Sequence, residues 1–525
     1  MDVLPLFGSD LRVRTLFTSV EGSAFSDGLD DYLQMVGAKT VSWAEAMTMR
    51  FDLALSASAN GELHHLGAPL LLMPHGAGHN RLLRTADGYG PEVSGLARSQ
   101  LVRDGRVVPT VIALSHQEQL ARLARYCPEA LPAAMVTGDL CFDRIVAHLP
   151  RRDRYRRALG VADGRKLVLV SSTWGEHSLL GAGGDILPRL LAELPLDEYR
   201  VALVTHPNIV ARYGELQLRL WLARERSAGL TVIPPERGWQ AALIASDVII
   251  GDHGSVTFYG TALGRPVLLA SSGQEIQELD PSSPTAELCR LLPRLDRRRS
   301  LLGQVKEVVT AHIPGAYAEV TGRTLGNIGR AGESLRKIAY QIMNLPCPPT
   351  PAVIEPLAEP RAEVPEVTAF LVEARVLSAD RTVVVRRFPA SAERVSDDGL
   401  CDPHLVVDAE DLDRRLLESA AIIMRRDGSP RWARETVRRY PGCAMASAVI
   451  GDQRVYVVLR DGREFVLTLL SWVPQAAGDR VDVTCLPSVL YGWLTAGHRE
   501  GGFPSELQVR LGAAESRIRV TPPAL

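Results

Sequence analysis

The stretch from Ser246 to Leu269 leaves little freedom in what this chain can fold into. A short β-branched run at 248–250 reads as a buried parallel strand. It ends in the small polar turn Gly251-Asp252-His253-Gly254-Ser255, after which the apolar residues adopt helical spacing. Arg265-Pro266 stops that helix, and Val267, Leu268 and Leu269 start a second strand. Strand, turn, helix, strand is one right-handed βαβ unit of a doubly wound sheet. A turn of this kind aims backbone N–H groups and the positive end of a helix dipole at a point beyond the carboxyl edge of the sheet, where an anion is stabilised.

The same alternation recurs along the chain. Strands are predicted at 12–20, 51–56, 68–74, 108–115 and 134–137, with helices at 27–37 and 117–126. After an arginine-rich helix face at 151–157, strands follow at 167–171, 200–205 and 230–233, with a helix at 187–194. This predicts an α/β fold of two doubly wound, Rossmann-like domains over residues 1–155 and 156–345; the resemblance described below implies that the first takes the acceptor and the second, with its closing helices, the nucleotide donor. Seven prolines between Leu345 and Glu366 suit a semi-rigid linker over 346–365. Beyond it, residues 366–525 change pattern. Paired strands at 367–377 and 382–388, a helix at 409–424 and a meander at 446–450, 454–459 and 464–470 predict a small α+β accessory domain.

At 525 residues, several domains are expected. A formal net charge of −2 gives no reason to expect nucleic-acid binding. The seven cysteines stand far apart with no C-x-x-C spacing, so neither a zinc site nor a disulfide framework is indicated. No leader pattern opens the chain and no long apolar run occurs, which predicts a cytoplasmic protein. Arg290, Arg294, Arg297, Arg298 and Arg299, set among leucines, are the candidate for peripheral contact with anionic lipid at the inner membrane face, a solvated helix face being the plainer reading.

Polar residues that terminate apolar strands are the candidates for chemistry. His75 follows the run at 68–74 and is flanked by Gly76 and Gly78; an imidazole near its ordinary pKa can take a proton from an attacking hydroxyl. His206 ends another strand, and Pro207 turns the chain away. It is placed to donate to a diphosphate or leaving phosphate. Thr173 and Trp174 end a third strand. The turn Asp252, His253, Gly254, Ser255, with Val256 and Thr257 behind it, is the expected phosphate cradle.

Pro74-His75-Gly76, Ser115, Gly138 with Asp143, Ser172-Thr173-Trp174, Thr205-His206-Pro207 and the turn through Ser255 fall in an order that resembles the CDP-glycerol glycerophosphotransferase family of teichoic-acid polymerases. The resemblance spans about residues 50–270. It implies a GT-B fold for roughly the first 345, with His75 as base, His206 as phosphate ligand and Gly76 and Ser255 beside the donor diphosphate. The chain departs from the family where Ala77-Gly78 replaces Thr-Pro and Asp252-His253-Gly254-Ser255 replaces Asp-Tyr-Ser-Ser. Thr205-His206-Pro207-Asn208 is also similar to a segment of the non-hydrolysing UDP-N-acetylglucosamine 2-epimerases, although the Gly-Asp-Thr and Thr-Glu-Arg-Pro segments of that family are missing.

The expected activity is therefore transfer of a glycerol-phosphate or glycosyl group from a CDP- or UDP-linked donor to an acceptor hydroxyl. Glu275 or Glu278 would stand near the ribose and the loop 232–239 near the base. The donor is a substrate; no cofactor or metal is called for, because helix N-termini, amides and His206 can balance the leaving charge and no Asp-x-Asp pair is placed to hold a metal. The alternatives are an epimerase and a non-catalytic nucleotide-binding scaffold whose tail domain docks a protein partner.

Overall fold

The computed structural model describes residues 2–19, 29–83, 92–161, 164–270, 277–352, 355–360, 366–377, 381–393, 403–470, 481–496 and 504–523. Among them, no helix is long and apolar enough to cross a membrane.

Two parallel sheets stand in sequence. The first has four short strands in chain order, Ala54–Ser56, Leu70–Leu72, Val111–Leu114 and Ala134–Val136. The predicted first strand at 12–20 does not form among its described residues, 12–19, which make an isolated bridge, Phe17 to Thr40. Charged Arg12 and Arg14 interrupt the apolar pattern, and Arg12 bonds Asp10 instead.

The second sheet is larger. Its five strands lie in the order Thr231–Ile233, Tyr199–Thr205, Lys166–Ser172, Val248–Gly251, Val267–Leu269, all parallel. The strand Lys166–Ser172 shows why a continuous apolar run is needed at the centre. Leu167 and Leu169 face one core with the helices Trp239–Ala245 and Ser255–Ala262, while Val168 and Val170 face another with the helix Ile186–Glu193. All four are fully buried, each contributing roughly 1.5–3 kcal/mol. The strand order reverses between Lys166–Ser172 and Val248–Gly251, which opens a crevice at their carboxyl ends.

The helix Ala331–Ile342 crosses back and packs against the first sheet, where Leu335, Ile338 and Tyr340 share a core with Leu71, Ala113, Leu6 and Phe7. The charged segment is the helix Arg152–Ala158, but it is not simply a solvated face. Arg152 and Arg156 both bond Asp247 at 2.6 Å, and Tyr155 is buried beneath them. The proline-rich segment forms no helix or strand among its described residues. It lies docked on the molecule, with Leu357 buried and its N–H donating to His148 Nε2 at 3.2 Å.

The C-terminal region is a closed barrel of nine strands, mixed parallel and antiparallel, around an apolar core. The expected pair is present as Ala369–Leu377 against Thr382–Pro389, and so is the meander Met445–Val449, Arg454–Leu459, Glu464–Leu470. The helix expected at 409–424 is corrected to a short helix, Arg414–Ser419, between the parallel strands His404–Asp408 and Ile422–Arg425. Asp413 caps that helix, and β-branched Ile422 and Ile423 then join the sheet. The helix Leu486–Thr495 fills part of the interior, with Leu486, Val489, Leu490 and Trp493 in the barrel core.

Candidate active site

The candidate site lies where the two sheets present their carboxyl edges to each other. His206 follows the strand Tyr199–Thr205 directly and caps the helix Pro207–Tyr213, its Nδ1 accepting from Asn208 N–H at 3.2 Å. That bond leaves the hydrogen of the neutral ring on Nε2. From the opposite wall His75 approaches, three residues past the strand Leu70–Leu72, with the ring centroids 6.4 Å apart. Trp174, just beyond the strand Lys166–Ser172, stands 6.3 Å from the His206 ring, and the Arg81 guanidinium lies over the Trp174 ring at 4.8 Å.

Both imidazoles are held toward the neutral form. His206 is pushed down to about 4, chiefly by burial, then by His75 and Arg81. Solvent reaches the His75 ring, yet the walls crowd it, and this desolvation lowers its pKa below 6.5.

The glycine-serine turn is built from inside. Asp252 is fully buried, and its Oδ2 accepts from Thr173 N–H and Oγ at 2.8 Å and from Leu179 N–H at 3.0 Å. Its Oδ1 accepts from Gly254 N–H at 3.2 Å. The carboxylate thus joins the ends of the two strands at the switch point and is not aimed at a ligand. Thr173 is engaged by the same bonds. Gly254 is required because a Cβ there would come within 2.5 Å of the Thr173 methyl.

Ser255 opens the helix Ser255–Ala262, which has no side-chain cap among the described residues, and Gly254, Ser255 and Val256 remain partly open to solvent. The first-turn amides accordingly form an anion-favouring end. Thr257, by contrast, is buried, with its hydroxyl packed under Gly251, and cannot reach a ligand. His253 is half-buried beside the turn, with Nδ1 enclosed and without a partner among the described residues.

The two walls touch through the turn. Ala77 N–H donates to Ser255 Oγ at 3.2 Å, and Gly76, at φ +85°, passes so close that a Cβ would lie 2.4 Å from that oxygen. Glu278 faces the mouth of the cleft, bonded to Arg81 at 3.2 Å and 4.0 Å from His177. Glu275 lies outside the described residues. Trp239, in the loop expected near the base, instead stacks on Tyr259 at 6.2 Å, inside the core under the helix.

Several residues that matter here carried no sequence signal strong enough to single them out. Arg81 lies six residues past His75. Arg122 and Asp280 form a buried ion pair across the domains at 3.2 Å. Tyr259 donates to Asp139 Oδ2 at 2.8 Å, and Asp139 Oδ1 caps the helix Leu140–Ala147 of the first domain. Burial raises the Asp139 pKa to about 6. Tyr259 stands one helical turn after Ser255, so an i, i+4 reading of that helix could have found it.

No family model matches this chain, and no curated protein does. Among solved structures it is similar to a variant of the wall teichoic acid polymerase TagF, at 13% identity over 63% of this chain and 89% of that one, with a TM-score of 0.42. It is also similar to HepE of Anabaena in complex with UDP and glucose (14% identity, 62% and 95%, TM-score 0.30). A third is the UDP-GlcNAc 2-epimerase of Neisseria meningitidis bound to UDP-GlcNAc (14% identity, 60% and 79%, TM-score 0.35). The likeness is one of fold.

Proposed function

We propose that this chain is a transferase that uses a nucleotide-diphosphate donor, CDP- or UDP-linked, and passes a glycerol-phosphate or glycosyl group to an acceptor hydroxyl. The observation that carries the reading is the pair of neutral imidazoles, His75 and His206, facing each other above an uncapped helix N-terminus. In this reading His75 takes the acceptor proton as its oxygen attacks. His206, with its hydrogen on Nε2, donates to the departing phosphate, and the amides at Ser255 and Val256 share the charge. Attack at phosphorus releases a nucleoside monophosphate; attack at an anomeric carbon releases a diphosphate.

A thermal-shift series across CDP-, UDP-, GDP- and TDP-linked compounds tests the donor, because a ligand that binds only the folded form raises its melting temperature. His75→Ala should then lower turnover by about 10²–10⁴-fold while nucleotide binding is kept. A binding scaffold would show no turnover to lose. The epimerase reading draws on the same donor-side residues, His206, Gly254 and Ser255, and predicts change in a UDP-sugar supplied without any acceptor, which transfer does not.

A further inference from the structure

Arg81 reaches the mouth of the cleft from the wall that bears His75, and the proposed chemistry gives it no task. Its main chain is fixed in place. Arg81 makes an antiparallel bridge with Leu279, its carbonyl accepts from Ser94 N–H at 2.8 Å, and the Asn80 carbonyl before it accepts from Asp280 N–H at 2.8 Å. A short ladder therefore ties a loop of the first domain to the segment 278–280 of the second, and the Arg81 side chain leaves from that ladder.

The side chain itself is not packed away. Its guanidinium lies over the Trp174 ring at 4.8 Å, and that ring stands 6.3 Å from His206, near enough for the Arg81 charge to help hold His206 toward its neutral form. The side chain is 47% exposed, and among the described residues its one side-chain hydrogen bond runs from Nη2 to Glu278 Oε2 at 3.2 Å. A guanidinium is a flat fork of N–H donors, and a single bond of that length leaves most of the fork open. Phosphate oxygens match such a fork better than one carboxylate oxygen does.

Glu278 is the other half of the observation. Its carboxylate, 18% exposed, faces Arg81 on one side and His177 Nε2, 4.0 Å away, on the other. A carboxylate so placed opposes any anion that enters beside it. It also joins the second domain to the first across the mouth. A part-exposed ion pair of this kind is weak, so an incoming phosphate can replace it.

We propose that Arg81 and Glu278 form a latch across the mouth of the cleft, opened when the diphosphate of the donor takes Arg81 from Glu278. The anion is then held from both walls, by Arg81 on one and by His206 and the turn at Ser255 on the other, while Glu278 keeps His177 as its neighbour. The identity of the anion rests on the donor reading of the cleft. Glu278, expected beside the ribose, is assigned instead to guard the empty cleft.

The test is calorimetric titration of the full-length protein with inorganic pyrophosphate, a probe with neither ribose nor base. Wild type is expected to bind it. Glu278→Gln should tighten binding by up to about fivefold, and Arg81→Gln should weaken it by about ten- to a hundredfold, with Arg81→Lys, which keeps the charge without the fork, in between. The double variant separates a latch from a general change in local charge: with Arg81 gone, Glu278→Gln should add less than about twofold, because it acts through Arg81. Both side chains reach solvent, so melting temperatures should stay near wild type. Weaker binding in Glu278→Gln, unchanged binding in Arg81→Gln, or equal tightening by Glu278→Gln in both backgrounds overturns the latch and leaves the donor reading standing. Absence of pyrophosphate binding to wild type overturns both. Turnover plays no part in the readout, so a protein that shows the latch but transfers nothing refutes the transferase reading alone.

Discussion

The two walls of the cleft are built on opposite plans. The wall that bears His206 rests on two seven-residue strands buried on both faces, and one fully buried carboxylate, Asp252, gathers four hydrogen bonds there, two from Thr173 and one each from Leu179 and Gly254. The wall that bears His75 rests on a three-residue strand and a loop with two glycines at positive φ. Its shape is secured from across the gap, by Ser255 accepting from Ala77 and by Asp280 pairing with Arg122. One wall is preorganised; the other takes its form from the first. If His75 serves as the proposed base, this arrangement ties its position to the wall that bears His206.

The largest effect should come from removing the keystone of the rigid wall. Asp252→Ala strands the Thr173, Leu179 and Gly254 donors in a buried site and should cost about 3–5 kcal/mol, read from the urea midpoint. The matching change on the other wall, His75→Ala, should cost less than about 1 kcal/mol in the same experiment, since solvent reaches that ring. Equal losses would refute the asymmetry.

The seam between the walls comes next. Gly76→Ala sets a methyl against Ser255 Oγ at a left-handed φ and should destabilise by about 1–3 kcal/mol, with weaker donor binding by calorimetry. Donor binding that stays intact would show that the contact does not shape the cradle.

The Asp139–Tyr259 bond gives a pH signature. With Asp139 raised from 3.8 to about 6 in the folded state, the native protein holds the proton more tightly than the unfolded chain. Stability from this group is therefore complete below pH 3.8 and lost as pH rises through 6, by on the order of 2–3 kcal/mol. Asp139→Asn should flatten that segment of the stability-against-pH curve. His206 works in the opposite sense: with its folded pKa depressed to about 4, its contribution is present above 6.5 and lost as pH falls through 4. The smallest expected effect is kinetic, an acidic limb of kcat/KM at a pH below 6.5, because His75 is lowered from that value.

The second sheet was legible in the sequence because parallel strands buried on both faces leave uninterrupted apolar runs, and 167–171, 200–205 and 248–250 are such runs. The strand endings then located His75, His206 and Ser255. What stayed hidden depends on contacts distant in the chain. A carboxylate such as Asp252 looks the same whether it meets a ligand or ties two strands, and only its four donors tell the two apart. The sequence likewise could not distinguish Thr257, turned under Gly251, from Ser255 two residues earlier. In the barrel, residues 404–425 alternate too briefly for their period to separate two short strands from one helix, and closure joins Thr382–Pro389 to Glu506–Leu511, more than a hundred residues on. The Arg81–Glu278 and Arg122–Asp280 pairs span more than 150 residues, beyond the reach of any local pattern.

The barrel meets the second sheet just before the amino end of the strand Tyr199–Thr205, the end opposite His206. There Arg387, buried, is held between Asp197 and Asp482, and the Leu196 N–H donates to the Arg387 carbonyl at 2.9 Å. Through these ties the barrel follows the sheet it is fixed to, so a fluorophore placed on the barrel would report any movement of that sheet against the wall that bears His75.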